Sequence, residues 1–120
     1  MLKVIPCTNT YGIQPEYECT IEVTSGETVQ QCTFPAELLG KTVADFDNFI
    51  STIRRGETCK FQYINPHRCI NTFFEYSSST NTLMICVHRD HKKVHIPVVV
   101  NNEILDKFSE LRQVLFSHSN

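Results

Sequence analysis

A chain of 120 residues with 41% hydrophobic and 20% charged side chains suits one globular unit, too short for two ordinary cores and too apolar for a disordered tail. It holds no apolar run long enough for a membrane span, and its start, MLKVIPCTNTYG, lacks the apolar segment of an export signal, so a cytoplasmic protein with no membrane partner is expected. The net charge of −2 is unevenly placed: residues 1–53 sum to −5, residues 54–95 to +4 and the tail to −1, a division that suits an interaction surface as well as ordinary solvated charge.

The stretch LKVIPC reads as a short strand interrupted by Pro6. YECTIEVT then alternates, with Tyr17, Cys19, Ile21 and Val23 on one side and Glu18, Thr20, Glu22 and Thr24 on the other, as a half-buried strand does. Ser25-Gly26 is expected to turn it into TVQQCTF as a hairpin. If that loop has two residues, Cys19 faces Cys32; a three-residue loop with Gly26 in the left-handed region separates them. A cytosolic setting favours thiols at all six cysteines. FPAELLGK follows as a single helical turn started by Pro35 and stopped by Gly40.

TVADFDNFISTIRRG carries agreeing helix signals. Thr42 caps the start with Asp45 three positions on, Val43, Phe46, Phe49, Ile50 and Ile53 form one stripe, and Gly56 ends it. Residues 59–100 read as four strands, CKFQYI, CINTFFEY, TLMICVH and KVHIPVVV, joined by NPHR, SSST and RDHK. NNEILDKFSELRQVLF closes as a second helix with Ile104, Leu105, Phe108, Leu111 and Leu115 inward. The expected fold is α+β, a single domain over residues 1–120. Four C-terminal strands form an antiparallel β-meander, an N-terminal hairpin joins them, and two amphipathic helices pack on one sheet face.

Four-residue loops in the meander would set Ile64 opposite Cys69, Tyr76 opposite Asn81 and His88 opposite Lys93. Phe61, Tyr63, Ile70, Phe74, Leu83, Ile85, Val87, Val94, Ile96 and Val98 then share one face, and a one-residue slip would scatter them. The reverse face gathers the chain's polar chemistry. Cys69 lies across from His88, Cys86 across from His95 with Asn71 beside it, and His88 diagonal to His95, while His91 belongs to the turn. Phe73, Met84, Ile64 and Pro97 share this side, so the amino-terminal segment or another subunit is expected to cover part of it.

Cys86, His88, His95 and Cys69 have the ligand types of a zinc set, but a strand spacing of about 4.8 Å puts Cys69 and His95 too far apart to converge. Only Cys86, His88 and His95 remain for a metal, and no other cofactor is indicated. Cys86 opposite His95 is also the raw material of a nucleophile and its base. No glycine-rich elbow or helix start lies near it, carboxylate pairs are missing, and GKT at 40–42 lacks the earlier glycine of a phosphate loop, so an enzyme is not the expected reading.

The leading functional expectation is a non-enzymatic protein-protein interaction module, of inhibitor, immunity or accessory type. It would self-associate or hold a partner through the second sheet face or an edge strand, with Phe73, Met84, His88, Lys93 and His95 as contact residues and Glu18 and Glu22 of the acidic hairpin facing a basic partner. The alternative is single-stranded nucleic-acid binding through the basic 54–95 region, against which stand a pI near 6.2 and few aromatic residues on that face. A small zinc-binding protein comes third.

Overall fold

The computed structural model describes residues 1–9, 16–36, 40–65 and 69–116. The first three strands, β1 (Leu2–Asn9), β2 (Glu16–Ser25) and β3 (Thr28–Pro35), form an antiparallel sheet in that order. Pro6 sits within β1 without breaking it, because an edge strand can spare the missing N–H. The alternation in β2 holds from Cys19 to Val23, with Cys19, Ile21 and Val23 buried, but Glu18 on the other side is buried as well.

The hairpin turn is Gly26-Glu27 rather than Ser25-Gly26, with Ser25 paired to Thr28 and Gly26 at φ +61°, a left-handed conformation that glycine adopts without steric cost. The displaced turn moves the register, so Cys19 opposes Phe34 and Cys32 opposes Ile21. Both are free thiols. Pro35 ends β3 instead of starting a helical turn; residues 37–39 of that expected turn lie outside the described residues.

Helix α1 (Val43–Arg54) starts as expected: the Asp45 N–H donates to Thr42 Oγ1 at 3.1 Å, and the Thr42 N–H donates to the Asp45 carboxylate at 2.9 Å. Phe46, Phe49, Ile50 and Ile53 are its buried stripe. Strands β4 (Cys59–Asn65), β5 (Ile70–Ser77), β6 (Thr82–Arg89) and β7 (Lys92–Val99) then form a four-stranded antiparallel meander. The C-terminal helical segment is interrupted at Glu110, giving α2 (Asn102–Ser109) and α3 (Leu111–Phe116).

The β6–β7 register is the expected one, with Cys86 opposite His95 and Val87 opposite Val94. In the other two pairs each loop sits one residue later than expected, so that Asn65 pairs with Ile70 and Ser77 with Thr82. Cys69 and Asn81, each just before its strand, adopt φ of 52° and 50° and belong to the turns. Partners therefore shift by two positions, which leaves the ten apolar residues and the paired residues of β5, β6 and β7 on their expected faces. The ten apolar residues assigned to the inner face are all in the core or packed on it, joined by Thr72 and Tyr76.

Two layers cover that inner face. Helices α1 and α2 lie on part of it, where Phe46 meets Phe61 (ring centroids 5.4 Å apart) and Phe108 meets Phe74 (5.0 Å). Strand β3 covers the rest: Phe34 meets Phe74, and the Tyr63 hydroxyl donates to the Pro35 carbonyl at 2.8 Å. The amino-terminal segment thus packs against the apolar side, not the reverse. Ion pairs Arg54–Asp106 (3.0 Å) and Arg112–Asp47 (2.9 Å) tie α1 to α2 and α3 at the surface. Among the described residues, no helix is long and apolar enough to cross a membrane.

Candidate functional site

The reverse face of the meander is built in rows across the strands. One row runs Gln62, Phe73, Cys86, His95; the next, toward the β6–β7 turn, includes Asn71, His88 and Lys93; the row on the other side runs Lys60, Glu75, Met84, Pro97. Alternation alone puts these residues on one side, because their neighbours on each strand fill the core.

Cys86 lies at the centre and is 2% exposed, although it points away from the core. Phe73 and His95 flank it across the strands. Burial, followed by the Glu75 carboxylate, pushes its thiol up to about 11, with Lys60 acting in the opposite direction. A thiol so placed stays protonated at neutral pH, which is the reverse of what a nucleophile or a thiolate ligand requires.

His95 shares a hydrogen bond with another imidazole instead. The Nε2 atoms of His88 and His95 are 2.7 Å apart, so one ring donates and the other accepts. The two rings stand 5.0 Å apart at an interplanar angle of 32°. Partial desolvation holds His88 below the ordinary imidazole value, with His95 and Lys93 adding to the effect. Phe73 supports the pair, meeting His88 edge-on at 4.9 Å and His95 at 6.5 Å.

The four candidate metal ligands, Cys69, Cys86, His88 and His95, are not gathered around one position. Cys69 belongs to the turn before β5, and Asn71 takes the position across from His88. Among the described residues, no three His, Cys, Asp or Glu side chains are placed around one metal position. His91 is exposed in the β6–β7 turn, and His67 and Arg68 lie outside the described residues.

The basic stretch is largely neutralised within the chain. Arg54, Arg55, Lys60 and Arg89 each pair with a carboxylate, leaving Lys93 as the cation of the face without an ion pair to a described residue. Lys60 also covers Phe73, its Nζ 4.7 Å from the ring centroid and 3.4 Å from Glu75. Of the hairpin acids, Glu18 is 5% exposed and faces Arg89 at 3.9 Å, while Glu22 is half-buried.

Beyond Met84 the face continues into an open cleft of about 440 Å³, lined by Cys59, Lys60, Glu75, Tyr76, Thr82 and Met84 among others. Sequence reasoning missed both the cleft and the Lys60–Phe73 contact. Each depends on which residue of β4 stands beside which of β5, and no local pattern carries that. No protein-family model matches the chain, nor does any curated protein or solved structure.

Proposed function

We propose that the reverse face of the meander is a protein-docking surface and that the chain works as a non-enzymatic interaction module. The carrying observation is the distribution of cover. The helices and the amino-terminal sheet pack on the other side, leaving half-buried Phe73 and Met84 and exposed Pro97 and Val99 on a continuous strip. The charge on this strip favours a partner segment that joins an apolar side chain to carboxylates. Its one acidic residue, Glu75, is engaged by Lys60, while Lys93 and the imidazole pair remain for an anion. The cleft beside Met84 is where the apolar side chain would sit.

Single-stranded nucleic acid is the weaker reading. Stacking needs an open aromatic face, and that of Phe73 carries the Lys60 ammonium. The experiment compares native co-purification by the parent chain and by a Phe73→Ser, Met84→Glu double variant, after thermal melts have shown both folded. A protein held by the parent and lost by the variant supports docking here. Equal retention, or a monomer with no partner, overturns it. A second copy as the occupant would show as a dimer in sedimentation, again lost in the variant. Salt-sensitive binding of a mixed oligonucleotide at low ionic strength would favour the nucleic-acid reading instead.

A further inference from the structure

His88 and His95 point their Nε2 atoms at one another from adjacent strands, 2.7 Å apart, on a face with solvent above it. Two imidazoles can make that contact with one proton between them, and a second proton would set two cations nose to nose. The arrangement is equally close to another one. Two nitrogens bound to one tetrahedral zinc ion at about 2.0–2.1 Å stand roughly 3.3 Å apart, so a gap opened by little more than half an ångström, with each ring tilted off the line that now joins them, accepts the ion.

From this geometry we infer that His88 and His95 form a two-imidazole site for a borderline divalent transition metal ion, with water completing the coordination. Both ligands come from a rigid antiparallel pair, so the rings are brought together before the ion arrives. The strands hold Cys86 opposite His95, and Phe73 packs against both rings. Imidazole donors select Zn²⁺, Ni²⁺ or Cu²⁺ over Ca²⁺ or Mg²⁺, which want oxygen. No carboxylate is required, and the only one on the neighbouring rows, Glu75, is occupied by Lys60. This site uses two residues of the proposed docking face but does not rest on that reading, because the ion needs no partner in order to bind.

The test is calorimetric titration of the untagged chain with Zn²⁺ and with Ni²⁺ at neutral pH, beside His88→Ala, His95→Ala and His91→Ala variants checked for folding by thermal melt. About one ion per chain is expected, with affinity falling about a hundredfold when either His88 or His95 is removed, because the second imidazole then no longer acts intramolecularly. His91→Ala should bind as the parent does. Nitrogen-15 spectra of the imidazoles should show both Nε2 resonances move on Zn²⁺ addition. Absence of saturable binding up to about 1 mM ion would overturn the site. So would binding that survives loss of His88 or His95, or Nε2 resonances that do not respond.

Discussion

Phe34 of β3 meets Phe74 of β5 edge-on, with ring centroids 5.9 Å apart, and both rings are fully buried. This contact fastens the amino-terminal sheet to the meander. Phe34→Ala should therefore destabilise the protein by about 3–5 kcal/mol, as large-to-small changes in packed cores do. Phe73→Ala, on the opposite face of β5 and only half-buried, should cost much less. Urea unfolding of the two variants checks the contrast, and equal losses would mean that the sheets are not joined through Phe34.

Burial pushes the Cys19 and Cys32 thiols from 9.0 up to about 12. A raised folded-state value means that unfolded chains release protons first as pH climbs. The stabilisation is complete below about pH 9 and is lost as pH rises toward 12, at up to about 1.4 kcal/mol per pH unit for each thiol. Cys32→Ala should flatten the stability profile across that alkaline window. Denaturation curves taken at successive pH values measure the slope directly, and an unchanged slope would remove Cys32 from the account.

Thiol exposure orders chemical labelling. Cys69 is exposed in its turn, whereas Cys19, Cys32 and Cys86 are buried with thiols that stay protonated. Brief iodoacetamide treatment of the native protein at mildly alkaline pH should mark Cys69 well before Cys86. Peptide mapping reads the order, and early modification of Cys86 would contradict the geometry of the face.

Arg89 reaches Glu18 between the two sheets at 3.9 Å, and Glu18 is almost wholly buried. Replacing the guanidinium by an amide in Arg89→Gln leaves the carboxylate with less compensation. A loss of about 1–2 kcal/mol is expected, below the range for a fully buried pair because Arg89 is partly solvated. The Glu18→Gln, Arg89→Gln double variant should recover part of that loss in the same unfolding assay. Additive losses would show that the two side chains do not act on each other.

Much of this architecture was legible because side-chain orientation repeats every second residue. Ile85 and Val87 had to share a face of β6, as Ile96 and Val98 did of β7, and shifting the β4–β5 and β5–β6 partners by an even two positions left the common face intact. The imidazole pair was legible for the same reason, since the β6–β7 turn is short and its pairing came out as expected. Cys69 was misplaced because a left-handed residue at a turn's end carries no hydrophobic signal. Nothing local in the sequence marks the polar-tipped Thr72 and Tyr76 as buried. The destination of the amino-terminal sheet was hidden altogether, since strands that alternate well say only that one side is covered, not by what.

Crowding the helices and the first sheet onto the same side of the meander has an evolutionary consequence. Apart from buried Cys86, the outward side chains of β5, β6 and β7 are exposed or half-buried, so exchanging them should have a small effect on whether the chain folds. On the proposed docking role, recognition and architecture would be carried by different sets of residues on the same strands, and new specificities could be tried on this scaffold without first having to rescue it.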